Sequence, residues 1–216
     1  MMKIRSAILC LIAGLLAAGS AAAGDKPAPG SLPKPQMEGG KPLMQALKER
    51  KTTRSFSSKK LPPQILSNLL WAADGVNRPD SGKRTAPSAV NWQEIDIYVA
   101  KEDGLFLYNA KDNRLEPVLP EDIRARAGEQ PFVKTAPVVL IFVTDYARMG
   151  DAPQDTKDFY SATDTGFISQ NVYLYCASEG LATVVLGWVD KPALAKAMKL
   201  RDTQKVILSQ PVGYPK

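Results

Sequence analysis

Histidine is absent from all 216 positions of the chain. That absence excludes Ser-His-Asp and Cys-His catalysis, most catalytic zinc sites, and the side chain whose ordinary pKa suits proton transfer near neutrality. Cysteine is almost as scarce, with only Cys10 and Cys176. Cys10 falls inside a segment that reads as a cleavable leader, so the remainder holds one thiol and no intramolecular disulfide. One cysteine without histidine gives no basis for a transition-metal centre. Cys176 lies in an apolar helical pattern and reads as packing, since reactive thiols need an exposed, electropositive setting. An enzyme with this inventory must take its reactivity from elsewhere, and an organic cofactor is the natural source.

The first 23 residues have the three parts of an export signal: Lys3 and Arg5, the apolar run Ala7 to Ala18, and Ala21-Ala22-Ala23 as a cleavage site. The run is shorter than the roughly 20 apolar residues that span a bilayer, so no stable membrane anchor is expected after cleavage. No twin-arginine pair is present, which implies crossing unfolded and taking up any cofactor afterwards. Export without disulfides fits a bacterial periplasm or secretion better than a disulfide-stapled scaffold. Removal of residues 1–23 leaves 26 basic against 22 acidic residues, a charge of +4 instead of +6, and weakens any nucleic-acid reading. Residues 24–41, with Pro27, Pro29, Pro33 and Pro35 beside Gly30, Gly39 and Gly40, read as a flexible arm. Residues 42–216 suffice for one domain with a core.

Within that domain a short helix starts at Leu43 and a second at Pro62-Pro63, where the missing proline N–H has no helical partner to lose. Ile95, Ile97 and Val99 alternate with Asp96 and Tyr98 as in a half-buried strand. Leu105–Tyr108 and Arg114–Val118 read as a hairpin, and the continuous run Val138–Val143 as a central strand covered on both faces. A mostly buried helix is expected over Ser161–Gly180, capped by Ser161-Ala-Thr-Asp164. A short helix over Pro192–Met198 and a last strand from Val206 follow. Helices and strands are interspersed without regular βαβ repeats, which predicts an α+β fold.

Two segments carry chemistry. Arg50-Lys-Thr-Thr-Arg54 sets two guanidinium groups four residues apart with hydroxyls between them, a combination suited to gripping a phosphate. Arg84-Thr-Ala-Pro-Ser-Ala-Val-Asn-Trp-Gln93 offers hydroxyl and amide groups to a flat heterocycle. Taken locally, each has a plain alternative. Arg50 and Arg54 suit a solvated helix end, Ser88 and Asn91 suit a turn closed by side-chain hydrogen bonds, and Gln170 and Asn171 suit helix packing as well as ligand contact.

Taken in order, four features resemble the nitroreductase family of flavoenzymes from about Lys41 to Pro215: Arg50-x-Thr52-x-Arg54-x-Phe56, Ala86-Pro-Ser-x-x-Asn91-x-Gln93, Asp164-x-Gly166-x-x-x-Gln170-Asn171 before Gly180-Leu181, and Val212-Gly-Tyr-Pro215. The stretch Leu66 to Gly75 followed by Arg84-Thr-Ala-Pro-Ser88 is similar to the branch with the thiazoline and oxazoline dehydrogenases. The resemblance implies a homodimer with a central antiparallel sheet flanked by helices and FMN shared at the subunit interface. It implies a cofactor set of Arg50, Lys51, Thr52, Arg54, Pro87, Ser88, Asn91, Gln130, Leu186 and Gly187. Arg50 and Thr52 would hold the phosphate and Arg54 would face the pyrimidine edge. Ser88 and Asn91 would come from the partner protomer, and Leu186-Gly187 would supply amides near flavin N5. The flavin would carry hydride chemistry from a donor such as NAD(P)H to a small organic acceptor (nitro, quinone or enone), with no catalytic side chain and no metal. Two departures stand out. No basic residues follow the last strand except Lys216, and the Lys-Tyr pair of azoline dehydrogenases is missing. A flavin-free dimeric binding module on the same fold is the alternative.

Overall fold

The computed structural model describes residues 30–216. The leader assigned to residues 1–23, and 24–29 of the arm, lie outside the described residues. The helices are α1 (Leu43–Glu49), α2 (Pro63–Asp74), α3 (Gln154–Glu179) and α4 (Lys191–Ala197). The strands are β1 (Val76–Arg78), β2 (Lys83–Arg84), β3 (Ile95–Lys101), β4 (Gly104–Asn109), β5 (Arg114–Leu119), β6 (Val138–Asp145), β7 (Ala182–Thr183) and β8 (Gln204–Gly213). Six strands form one antiparallel sheet in the order β5-β4-β3-β6-β8-β7, and β1 and β2 form a separate hairpin. The α+β expectation holds.

Strand β6 sits between β3 and β8 and is buried at every position. Its side chains divide by the period of two: Val139, Ile141 and Val143 enter one core, Val138, Leu140 and Phe142 the other. The second core is roofed by α2, through Leu66, Leu69, Leu70 and Ala73, and by α3, through Ile168, Val172 and Cys176. Each fully buried leucine there contributes about 1.5–3 kcal/mol relative to exposure. The first core is closed by Ile123, Ala127, Val133, the α4 residue Leu194, and Val184 and Leu186 beyond β7. Cys176 is fully packed and burial pushes its thiol pKa up, as expected for an inert cysteine.

Helix α2 begins at the two prolines and ends where the Gly75 N–H donates to Trp71 O. A β-carbon at Gly75 would lie 2.4 Å from the Trp71 ring, so glycine is required there by close approach. Helix α3 is longer than expected. It starts after Pro153, and Ser161 to Asp164 lie in its interior instead of capping it. Their side chains serve tertiary contacts: Ser161 Oγ pairs with Thr144 Oγ1 at 2.8 Å, and Asp164 Oδ2 accepts from the Ala89 N–H at 2.8 Å. Gly180, at φ 69°, ends α3 in the left-handed conformation that glycine adopts without steric cost.

Residues 30–41 of the arm are hydrogen-bonded to the domain. Ser31 bridges to Arg114 on β5, Leu115 N donates to Gly30 O, and Asn113 Nδ2 donates to Pro33 O at 2.9 Å. Further along, Gln36 N donates to Asn68 Oδ1, and Lys41 N to Ser178 Oγ. Proline-rich backbone retains its carbonyls, and neighbouring side chains use them.

Candidate cofactor site

Arg50 caps the C-terminus of α1 through its N–H to Ala46 O, and the chain then runs extended beside β7. Thr53 N donates to Thr183 O at 3.0 Å, Ser57 N donates to Tyr214 O, and Phe56 bridges to Pro215. Tyr173 of α3 organises this edge. Its ring lies 5.3 Å beneath the Arg50 guanidinium, and its hydroxyl meets Thr52 Oγ1 at 3.2 Å and accepts from Val185 N at 3.0 Å. One phenol thus ties the arginine segment to the chain that continues into Leu186 and Gly187. Among the described residues none of Arg50, Lys51 and Arg54 takes part in an ion pair. Arg50 and Lys51 line a cavity of about 510 Å³ with Thr53 and Tyr173.

Leu186 does not supply the expected amide. Its N–H donates to Ser209 O at 2.8 Å and its carbonyl accepts from Ser209 N at 3.0 Å, while its side chain is buried in the core. A bridge to β8 has taken the donor. Gly187 differs: it is exposed, its N–H makes no hydrogen bond among the described residues, and a β-carbon there would meet only Leu208 Cδ2, at 3.7 Å. Gln130 lies beside this segment. Glu129 N donates to Trp188 O, and a β-carbon at Gly128 would sit 2.9 Å from Leu186 Cδ1 and 3.2 Å from Gln130 Oε1. That Gln130 oxygen is buried without a partner among the described residues.

Pro87, Ser88 and Asn91 occupy a different cavity, of about 390 Å³, with Asp74, Glu94 and Asp164. No residue lines both cavities. Their loop is strained: Val90, Asn91 and Gln93 have φ of 52°, 60° and 48°. Left-handed backbone at a β-branched residue costs on the order of 1–3 kcal/mol and persists only where the surroundings enforce it. Here they do, through Gln93 N to Ser88 Oγ (2.8 Å), Ser88 Oγ to Glu94 Oε2 (3.2 Å) and Arg84 Nε to Gln93 Oε1 (2.9 Å). Asn171 donates to Ala73 O and so holds α3 to α2, while Gln170 is exposed.

Arg84 also pairs with Asp74 at 2.6 Å. Burial drives Asp74 up to about 7, against the pull of that guanidinium. A carboxyl whose folded pKa exceeds its ordinary value of 3.8 leaves the folded state holding more protons between the two values. Stability therefore falls as pH rises from about 4 to about 7. Arg84→Met removes the downward pull, so the decline extends above pH 7. The penalty of the variant, read from guanidinium unfolding, is expected to be larger at pH 9 than at pH 5, by about 1.4 kcal/mol per unit of further rise. Equal penalties at both pH values would contradict this.

A family model described as the nitroreductase family matches residues 47–214. The chain belongs to the nitroreductase family. It is an oxidoreductase of that family, whose flavoenzyme character agrees with the missing histidine. A protein of Methanocaldococcus jannaschii that carries a nitroreductase name is 30% identical over 181 residues, covering 79% of this chain and 90% of the relative. A Ralstonia eutropha crystal structure, also under a nitroreductase name, is 43% identical with a TM-score of 0.83, covering 87% of this chain and 89% of that one. The NAD(P)H-dependent FMN reductase of Bacillus subtilis is 23% identical over 68% of this chain and 54% of its own length. The sequence motifs point to the Arg50 and Ser88 segments, and Asp164 opens a third, whereas no motif marks Tyr173 or Glu94. Tyr173 stands in an apolar helical stretch with nothing local to set it apart, and no local pattern links Glu94 to a carboxyl 70 residues away.

Proposed function

We propose that the chain is an exported, homodimeric FMN oxidoreductase whose cofactor sites are each assembled from two protomers. Arg50, Lys51, Thr52, Arg54, Gln130 and the Gly187 amide would come from one, and Pro87, Ser88 and Asn91 from the other. The observation that carries this reading is that Arg50 and Lys51 line one cavity while Pro87, Ser88 and Asn91 line another that shares no residue with it. Large apolar side chains stand exposed beside both halves. Val90 is 81% exposed next to Asn91, Trp188 71% next to Gly187, and Phe167 44% on α3. Subunit pairing would cover them.

The residues fit FMN in kind. Arg50 offers a fork of donors to a phosphate and Thr52 a hydroxyl, and Arg54 supplies a cation where reduction builds negative charge. Gln130 Oε1, buried and unpartnered, would accept a ring N–H. When bound, FMN supplies two-electron hydride chemistry through N5, which asks no acid or base of the protein. The similarity to an FMN reductase supports the choice of cofactor. The donor would be a reduced nicotinamide or another hydride donor, and the acceptor a nitro, quinone or enone compound. Residues 1–23 support export to the periplasm or beyond.

The test is to purify residues 24–216, record the flavin spectrum, titrate FMN into colourless protein and measure mass by sedimentation. One FMN per protomer of a dimer is expected. A monomer that binds no FMN at high concentration would end the proposal.

A further inference from the structure

Glu94 is the least explained group in the molecule. It stands just before β3 with no exposed surface and lines the Ser88 cavity, and its Oε1 is buried without a partner among the described residues. Its other oxygen accepts from Ser88 Oγ at 3.2 Å. The Asp164 carboxyl of α3 lines the same cavity, and its Oδ2 accepts from Ala89 N at 2.8 Å. Two carboxylates cannot bond to each other. Adding one proton turns the orphaned acceptor into a donor and satisfies both groups.

We propose that a protonated Glu94 donates a hydrogen bond to Asp164, that this bond positions the strained Ser88–Gln93 loop, and that its loss with rising pH releases the loop. The pair grips the loop at the two consecutive residues that open it, Glu94 through the Ser88 hydroxyl and Asp164 through the Ala89 amide. With Glu94 ionised, like charges in a buried cavity push apart the two anchors that oppose left-handed strain at Val90, Asn91 and Gln93.

Burial raises the Glu94 pKa above the usual carboxylate range and the Asp164 charge adds to the rise, while its own backbone amide and the Ser88 hydroxyl oppose it. The other charged groups facing this cavity are Asp74 and its partner Arg84, with Arg78 and Lys83 at the β1–β2 hairpin. A raised folded pKa means that the contribution is complete at acid pH and is lost as pH climbs through the folded value. Glu94 and Asp164 are positioning residues. Their bearing on cofactor binding rests on the assignment of Ser88 and Asn91 to the FMN site.

Hydrogen–deuterium exchange of residues 86–94 in the full-length protein, from about pH 5 to about pH 9, tests the pair when referenced to Glu94→Gln at each pH. Glutamine donates permanently to Asp164 and still accepts from Ser88. Wild-type protection relative to E94Q is expected to fall by up to about tenfold per pH unit above the titration, while E94Q stays level. Asp164→Asn, which restores the same two bonds from the other side, should match E94Q and serves if that variant misfolds. Parallel loss in all three proteins would overturn the proposal, as would a wild-type loop whose protection relative to β6 never changes. The FMN dissociation constant over the same range should rise in wild type and stay flat in E94Q. If FMN does not bind at all, exchange still decides the acid pair, so the two readings fail separately.

Discussion

Arg50→Ala is expected to weaken FMN binding by about 1.5–3 kcal/mol, the range for a hydrogen bond to a charged group, or roughly 10- to 150-fold in the dissociation constant. The structure gives Arg50 little else to do. Its guanidinium makes no ion pair among the described residues and rests 5.3 Å over the Tyr173 ring, an interaction near 0.5–1 kcal/mol at an accessible position. Thermal stability without cofactor should therefore shift little, and the effect should appear in titration. Arg50→Lys keeps the charge but loses the planar fork, so its loss should be intermediate. An unchanged dissociation constant in R50A would move the phosphate to another part of the surface.

Phe142→Ala is expected to cost about 3–5 kcal/mol of unfolding free energy. Phe142 is fully buried on the central strand, in register with Ile97 on β3 and Leu208 on β8, and its ring fills the core beneath α2 and α3. Truncation leaves a void that three paired strands cannot collapse to fill. Guanidinium unfolding of wild type and F142A measures the loss, and Phe142→Leu, which keeps more volume, should lose less. A cost below about 1 kcal/mol in F142A would mean that the ring does not occupy the core as described.

Most of the sheet was legible because its strands carry period-two or fully apolar patterns whose meaning is local. Val138–Val143 and Ile95–Val99 needed nothing beyond their own side chains. The start of α3 was not legible. Residues 154–160 show no apolar stripe, and Ser161-Ala-Thr-Asp164 resembles a cap because its polar groups look unused in sequence, whereas tertiary partners engage them. The β1–β2 hairpin was missed for a similar reason, since three-residue and two-residue strands carry no periodicity. At the site, the Arg50 and Ser88 segments were readable as chemistry, but the pairing of Leu186 with Ser209 was not, because a hydrogen bond between residues 23 apart leaves no mark in either segment. The cavity that Glu94 and Asp164 share was hidden in the same way.

The arm also bears on how this molecule behaves in concentrated solution. A terminal strand of an antiparallel sheet offers a row of unpaired amides and carbonyls on which a second chain can stack. Here the outer rim of β5 is blunted at two points. Gly30 and Ser31 engage Leu115 and Arg114, and Pro117 has no N–H to offer a newcomer. The strap thus works as a guard against fibrillar self-association, and trimming it would leave the protein more prone to precipitate even where the fold survives.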